Sequence, residues 1–419
     1  MIDVFSMIAS ICVFLVVIIF LVIILLVAKR FLVASGDVKI IINGGKEVIA
    51  EAGNNLLRTL ATQSIFLPSA CGGGGSCAQC KCQVLEGGGS ILPTEIVHFS
   101  RKEIKTQWRL GCQVKVNGDM SIKMDESILD VKKFECEVVS NKNVATYIKE
   151  FIVKLPECEH LNFVSGGYIQ IDIPKYELNF TEFDVEQRFH AEWDKFRVWD
   201  LTVKNTEETM RAYSMANYPA EGDIVMLNVR IATPPFDRAT GGFMNVPPGI
   251  ASSYIFNLKP GDKVIVSGPF GEFHPILDSK REMLYVGGGA GMAPLRSHIL
   301  HLLNTLKITD RKISYWYGAR ALNEVFYMED FLDLEKRFPN FSFHLALDRV
   351  DPEADKAGVK YTPGFVHQVI LNNYLKDHDE PEEIEYYMCG PGPMAKAVEN
   401  MLYNLGVPLE MLMFDDFEG

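Results

Sequence analysis

Four thiols set the strongest constraint on how this chain can fold. Cys71, Cys77 and Cys80 sit on one short stretch, Gly72 to Gly75 fill the gap after the first, and Cys112 follows a domain-width later. Sulfurs at this spacing call for a loop that wraps a metal centre and a distant strand that delivers the last ligand. A [2Fe-2S] cluster takes four thiolates, two on each iron, and its bridging sulfides crowd the backbone around them. Residues without a Cβ let N–H groups approach those sulfurs and tolerate the φ values of a tight wrap. Zinc is the competing metal, but a zinc ribbon carries two CxxC knuckles, whereas here one knuckle, Cys77 with Cys80, has a lone distant partner. The spacing favours iron–sulfur, with Cys71, Cys77, Cys80 and Cys112 as ligands. Cys82, two residues past Cys80 on an expected strand, reads as a small buried thiol.

From Val4 to Ala28 there is no charged side chain. At about 1.5 Å per residue such a run crosses a hydrocarbon core of about 30 Å as a helix. We expect a transmembrane anchor within residues 1–34. A signal peptide would start basic and stop sooner, but here Asp3 precedes the run and no Lys or Arg does. Lys29 and Arg30 follow the run directly, which places the N-terminus outside and the remaining chain in the cytoplasm. A reducing compartment is also what unpaired thiolate ligands need.

A chain of 419 residues implies two or three folded units. The net charge of −13, with no Lys/Arg stripe, argues against a nucleic-acid partner. Residues 36–130 read as a small mixed domain. DVKIIINGGKEVIAEA gives two strands around an Asn43-Gly44-Gly45 turn, a short helix spans Asn54 to Ala61, and strand signals recur at Lys81 to Leu85, RLGCQVKV and MSIKM. Residues 131–276 are strand-rich with Gly and Pro between, the pattern of an antiparallel barrel or sandwich, interrupted by a charged, aromatic-rich insertion at 175–209. Residues 277–419 alternate strand and helix, as in a doubly wound parallel sheet. The fold class expected is thus multidomain, α+β and α/β, behind a single N-terminal helix.

ACGGGGSCAQCKC with the later LGC resembles the loop and fourth-ligand strand of β-grasp ferredoxins, and its five-residue first gap is closer to the adrenodoxin-type spacing than to the plant type. Arg211-Ala212-Tyr213-Ser214 and Pro248-Gly249-Ile250-Ala251-Ser252-Ser253 resemble the flavin motifs of the ferredoxin-NADP reductase superfamily. That resemblance implies that Arg211 pairs with the cofactor pyrophosphate, Tyr213 packs on the isoalloxazine, Ser214 hydrogen-bonds near flavin N5, and the helix end at Gly249 and Ser252 binds phosphate. A guanidinium fork and an open helix N-terminus suit those tasks. Met283 to Val286 runs into Gly287-Gly288-Gly289-Ala290-Gly291-Met292-Ala293-Pro294, a strand, glycine turn and helix start suited to a dinucleotide pyrophosphate. Gly287, Gly289, Gly291 and Pro294 carry it, and the last departs from GxGxxG in the manner of that superfamily. Cys389 and Gly390, in MCGP, resemble its nicotinamide-side motif, with an ordinary buried cysteine as the plain alternative. Phe417 stands where the family often places an aromatic over the flavin, with a frayed acidic tail as the plain alternative.

Three further features carry less. His298 and His301 share a helix face without a third ligand and read as partly exposed helix residues. Trp193 and Trp199 form either a docking surface or, preferably, the insertion's own small core. Arg320 suits a 2′-phosphate or a water-facing position equally, leaving NADH against NADPH open at the level of residues.

The order of anchor, ferredoxin, flavin and nucleotide domains resembles the sodium-translocating NADH:quinone reductase family, in the component that bears both a flavin and a cluster. The likeness is most specific in the span joined to CGGGGSCAQC and in FDVEQRFHAEWDKFRVWDL before RAYSMANYP. The resemblance implies NADH as donor, FAD as flavin, Tyr213, Ser214 and Cys389 at the hydride transfer, and a [2Fe-2S] exit. It also implies further membrane subunits through which quinone is reached, in a bacterial inner membrane. A nicotinamide gives two electrons together and a [2Fe-2S] centre takes one at a time, so a flavin is the converter between them. The rival readings are the reductase of a multicomponent oxygenase and a non-enzymatic iron–sulfur carrier, which would leave the flavin and dinucleotide motifs unused.

Overall fold

The computed structural model describes residues 11–24 and 36–415, apart from residues 70 and 238. Residues 11–24 are helical and exposed. Among the described residues no helix is long and apolar enough to cross a membrane, and the rest of the expected span lies outside them. The described chain divides into two compact units, one ending at Asp130 and the other running on from Val131, with Cys71 and Gly72 grouped with the second.

The first unit is built on five strands: β1 (Asp37–Ile42), β2 (Lys46–Glu51), β3 (Lys81–Glu86), β4 (Trp108–Leu110) and β5 (Met120–Lys123), in the order β2-β1-β5-β3-β4. Asn43 and Gly44 take positive φ in the β1–β2 turn, as the Asn-Gly-Gly sequence requires. Ile40 and Ile42 alternate inward and meet Leu56, Leu60, Val114 and Ile122. The helix Leu56–Thr62 packs there, its N-cap Asn55 accepting from the Arg58 N–H. The expected strand RLGCQVKV is shorter than its pattern: pairing stops at Leu110, and the N–H groups of Gln113 and Val114 both turn back to the Leu110 carbonyl. That turn carries Cys112 off the sheet.

The second unit begins as an antiparallel barrel. Its strands are β6 (Lys132–Ala145), β7 (Ile148–Lys154), β8 (Tyr168–Ile173), β9 (Tyr176–Asn179), β10 (Thr202–Asn205), β11 (Thr209–Ser214), β12 (Ile224–Arg230), the short β13 (Phe236–Asp237) and β14 (Gly242–Phe243), and β15 (Lys263–Phe270). Six of them run β11-β8-β15-β6-β7-β12, and a bridge from Met215 to Leu227 joins the two edges. The insertion lays the β9–β10 ribbon and the helix His190–Lys195 against this barrel. Trp193 is fully buried and donates to the Thr146 carbonyl, and its ring stacks on Phe256. The insertion therefore has no separate small core, contrary to expectation: its aromatics extend the barrel's own, because Phe180, Phe183 and Trp193 have nowhere else to bury.

The chain then winds a fully parallel sheet from β16 (Met283–Gly288), β17 (Ile313–Ala319), β18 (Phe341–Leu347), β19 (Thr362–Pro363), β20 (Glu385–Cys389) and β21 (Leu412–Asp415), in the order β19-β18-β17-β16-β20-β21. Every residue of β16 and β20 is buried, as covered parallel strands demand. Strand order reverses between β16 and β20, and ligands of such sheets bind at that crevice, outside the carboxyl ends of the strands.

Candidate active site and cysteine loop

In the first unit Cys80 ends the glycine loop just before β3, and Cys112 lies just beyond β4. Both are buried. Their side chains hydrogen-bond to each other, and Cys77 is near enough to act on Cys80 electrostatically. That hydrogen bond, burial and the charge Cys112 would carry all raise the Cys80 thiol far above its ordinary range. Two sulfurs packed this way ionise together only against a positive centre, which is what the ferric irons of a cluster supply, so the donor set fits. Cys71 and Cys77 are half-buried. Among the described residues no three His, Cys, Asp or Glu side chains already stand in metal-holding geometry. Gln113 Nε2 lies 3.6 Å from the Cys112 sulfur and is a neighbour the sequence did not flag. Cys82 is fully buried, and burial pushes its thiol up to about 12, as an inert core cysteine should be.

In the second unit β11 carries Arg211, Tyr213 and Ser214, with Ser214 as its last residue. Arg211 is half-buried, its Nη1 donating to the Met210 carbonyl at 2.7 Å and to Thr209 Oγ1 at 2.9 Å. Tyr213 packs on the barrel core, and burial raises its phenol. The helix Ile250–Asn257 opens at Gly249 with no side-chain cap. Ser252 Oγ instead accepts from the Ala232 N–H at 3.1 Å, which draws the helix start onto the strand-end loop. A Cβ on Gly249 would stand 2.6 Å from that of Ala232, so only glycine allows the approach. An uncapped helix start leaves backbone N–H groups open to an anion, and a guanidinium can fork onto phosphate oxygens.

The glycine turn follows β16 as expected. Gly289–Gly291 form a single tight turn and the helix Met292–Leu300 starts with Pro294 in its first turn. A Cβ on Gly291 would lie 2.1 Å from the Cys389 carbonyl oxygen, so the turn and the MCGP segment are in backbone contact. Across the sheet Gly287 pairs with Cys389, and Cys389 with Asp415. Asp415 in turn accepts a hydrogen bond from Ser214 Oγ at 2.6 Å. Strand ends from both halves thus converge, bringing Ser214, Cys389 and the glycine turn together. Asp415 was not singled out from sequence. Its one signal was the acidic pair after LMF, and only sheet register shows which acid meets the serine. Phe417 lies outside the described residues.

The seam that holds these ends together is polar. Arg296, buried, gives Nη1 to the Ala216 carbonyl and both Nη atoms to Glu221, each at 2.9 Å, while Ser297 Oγ donates to the Asn217 carbonyl. His298 is not partly exposed as expected. It is fully buried between Phe273, Tyr285 and Tyr387, its Nε2 donates to the Phe273 carbonyl, and burial pulls its pKa down to about 3. The helix it sits on is covered on both faces, so the side chain has no solvent to meet. His301 is half-buried, with its pKa lowered by burial.

These sites define a class: a reductase with a ferredoxin-type cluster domain, a flavin barrel and a nicotinamide-binding sheet. Comparison with known proteins agrees. Residues 40–117 match a 2Fe-2S iron-sulfur cluster binding domain, 183–274 an oxidoreductase FAD-binding domain, and 285–400 an oxidoreductase NAD-binding domain. Among solved structures, an Amycolatopsis cytochrome P450 reductase matches with TM-score 0.61 at 22% identity, over 91% of this chain and 98% of that one. A ferredoxin reductase of carbazole 1,9a-dioxygenase matches with TM-score 0.58 at 23% identity, over the same shares. These establish the shared fold. Proteins named as the F subunit of Na(+)-translocating NADH-quinone reductase are much closer in sequence: that of Psychrobacter arcticus is 51% identical over 100% of both chains, and that of Pseudomonas aeruginosa 51% over 99% of both. The chain belongs to this family of F subunits. It binds FAD and a [2Fe-2S] cluster and takes its electrons from NADH.

Proposed function

We propose that this chain is the electron-input subunit of a sodium-translocating NADH:quinone reductase, held in a bacterial inner membrane by residues 1–34 with its N-terminus outside. Its cluster domain then spans 36–130, its flavin barrel 131–276 and its nicotinamide domain 277–419. The observation that carries the hydride site is the convergence of Ser214, Asp415 and Cys389 at the carboxyl edge of the parallel sheet. Bound FAD would accept hydride from NADH and release electrons singly to the cluster. Arg211 and the helix start at Gly249 and Ser252 hold the flavin diphosphate, Tyr213 supports its ring, and Gly287, Gly289, Gly291, Pro294 and Gly390 shape the nucleotide's bed. Ser214 presents its hydroxyl at the reacting edge, and Asp415 fixes the direction of that hydroxyl and can hold its proton. Cys389, buried beneath the same edge, sets the depth to which the nicotinamide enters. Cys71, Cys77, Cys80 and Cys112 ligate the cluster. Phe417 covers the flavin until nicotinamide displaces it.

The membrane reading is supported by the uncharged run Val4 to Ala28 and by the basic pair behind it. One span without an intramembrane charge forms no ion path, so sodium movement and quinone reduction belong to partner subunits. The experiment is to tag the chain in its native membrane, extract it gently, and assay NADH-driven quinone reduction with and without sodium. Co-purifying multi-span subunits and a sodium-stimulated rate are expected. A sodium-indifferent reductase that brings down an oxygenase component would overturn the reading.

A further inference from the structure

At the amino end of the parallel sheet a cavity of about 750 Å³ opens beside the segment that links the barrel to β16. Glu385, the first residue of β20, lines it with Ile276 and Asp278 from the linking segment and with Glu410 and Met411 just before β21. Sheet register sets this place apart from the hydride site. Glu385 pairs with Met283 at one end of β20 and Cys389 with Gly287 at the other, about 13 Å away along a five-residue strand.

Glu385 is a costly residue to bury there. Its side chain is 1% exposed, as is that of Arg311, whose Nη1 stands 3.6 Å from Glu385 Oε2, too far for a hydrogen bond. Tyr387 OH supplies that bond to Oε2 at 3.0 Å and itself accepts from the Ile276 N–H at 2.9 Å, while Arg311 Nη2 donates to the Ile276 carbonyl at 2.7 Å. These contacts settle Oε2 and fasten the linking segment. Oε1 is buried and meets no donor among the described residues. Neither Tyr387 nor Arg311 lines the cavity, so Oε2 is turned into the protein and Oε1 is the oxygen left to the cavity. A buried carboxylate oxygen without a donor is expensive, and it calls for a donor from outside the chain.

The walls select that donor. Lys280 and Arg281 line the cavity, but each is already ion-paired outside it, with Asp310 and Glu383. Asp278 and Glu410 are exposed and enter no ion pair among the described residues. With Glu385 facing Arg311, the surplus charge at the mouth is negative, which disfavours an anion. Among the described residues no three acidic, Cys or His side chains are placed to hold a metal ion, so the cation this cavity suits is organic. Ile276 and Met411 offer apolar wall for an aliphatic stem, and the volume is that of a small-molecule site.

We propose that this cavity binds an aliphatic polyamine. One ammonium donates to Glu385 Oε1, the hydrocarbon chain lies on Ile276 and Met411, and a second ammonium meets Asp278 and Glu410 at the mouth. The ligand takes the free acceptor and leaves the bonds of Tyr387 and Arg311 as they are.

The test is equilibrium dialysis of the full chain in detergent, with FAD and cluster bound, against labelled spermidine. Saturable binding of one molecule per chain is expected, displaced by hexamethylenediamine and not by hexanediol, which has the same chain without the charge. The double variant Asp278→Asn, Glu410→Gln changes only exposed groups and should weaken binding about fivefold; Glu385→Gln should weaken it at least about tenfold. FAD absorbance and melting temperature are checked for Glu385→Gln, and the exposed double variant decides the matter if either has changed. Parent-like binding by that double variant would overturn the proposal, because the amine would then be drawn only by the net charge of −13. No saturable binding, displacement by the diol, or displacement by NAD+ would overturn it as well, the last by placing the amine at the other end of β20.

Discussion

The cysteine pocket of the first unit and the Ser214–Asp415 edge of the second both set reactive groups below the surface, with different partners. Around Cys80 the neighbours are of the same kind, Cys112 and Cys77, so they make its thiol harder to ionise and the pocket is at rest only around positive charge. At the other site unlike groups meet: a hydroxyl donates to a carboxylate, and a thiol lies one strand across. That arrangement is satisfied without any added ion. The first site depends on its cofactor to be coherent, and the second is organised before its cofactors arrive.

Cys80→Ser breaks the comparison on the first side and has the largest expected effect. Outer partners of a metal site are worth roughly 10–100-fold, and a ligand more. Cluster absorbance and quinone reduction should be lost, while NADH oxidation by a two-electron acceptor that draws on the flavin persists. Loss of both activities would mean that the two sites are not separable in this way. On the other side, Ser214→Ala should lower the rate of flavin reduction by NADH on the order of a hundredfold, the cost of one aligned donor, with little change in KM and an intact cluster spectrum. Asp415→Asn should fall between this variant and the parent in stopped-flow traces. An Asp415→Asn rate equal to that of the parent would show that the carboxylate does not direct the serine.

Buried charge sharpens the same contrast. Burial alone would raise the Glu95 carboxyl, yet Arg109 and two backbone N–H groups hold it below the usual range. A carboxyl with a depressed folded-state pKa contributes stability at neutral pH that is lost as pH falls below about 4.5 toward the folded value. Arg109→Met leaves that carboxylate buried without its partner and should cost about 3–5 kcal/mol in the first unit. Thermal melts followed by cluster absorbance would record this, with the penalty shrinking at acid pH as Glu95 becomes protonated.

The sequence makes the two sites legible to different degrees, for reasons of distance along the chain. Three thiols on one loop announce a metal by spacing alone, and the glycine turn after β16 is a local strand-to-helix pattern. Asp415 lies 201 residues from Ser214, and they meet only because β21 pairs with β20 at the sheet edge. Helical periodicity places His298 and His301 on one face but does not say that the barrel covers that face. The aromatic insertion announced burial without saying against what, and nothing in the local sequence marks Glu95, because its partner, Arg109, comes from a strand 14 residues on.

Lys149 supplies the smallest and most discriminating prediction, because it is the second unit's counterpart to the Glu95 pair without the pairing. It is 1% exposed on β7, donates to the Phe256 carbonyl at 3.1 Å, and stands over the Phe256 ring. Burial pulls its pKa down to about 8, against a weaker opposite pull from Asp184 and Glu186. Below pH 8 the folded protein must carry a poorly solvated ammonium, a cost that fades as pH rises through 8 and is gone near the unfolded value of about 10.4. Lys149→Met, of similar length and apolar, should therefore stabilise the barrel by about 1–3 kcal/mol at pH 7. Urea unfolding at pH 7 and pH 10 would measure the gain and its disappearance. Arg109→Met and Lys149→Met remove the same sign of charge from equally buried positions, so opposite signs of stability change would show that the partner, and not burial itself, decides what a buried cation is worth. A destabilised Lys149→Met would mean that the Phe256 carbonyl and ring already satisfy the ammonium, and the two units would then treat buried charge alike.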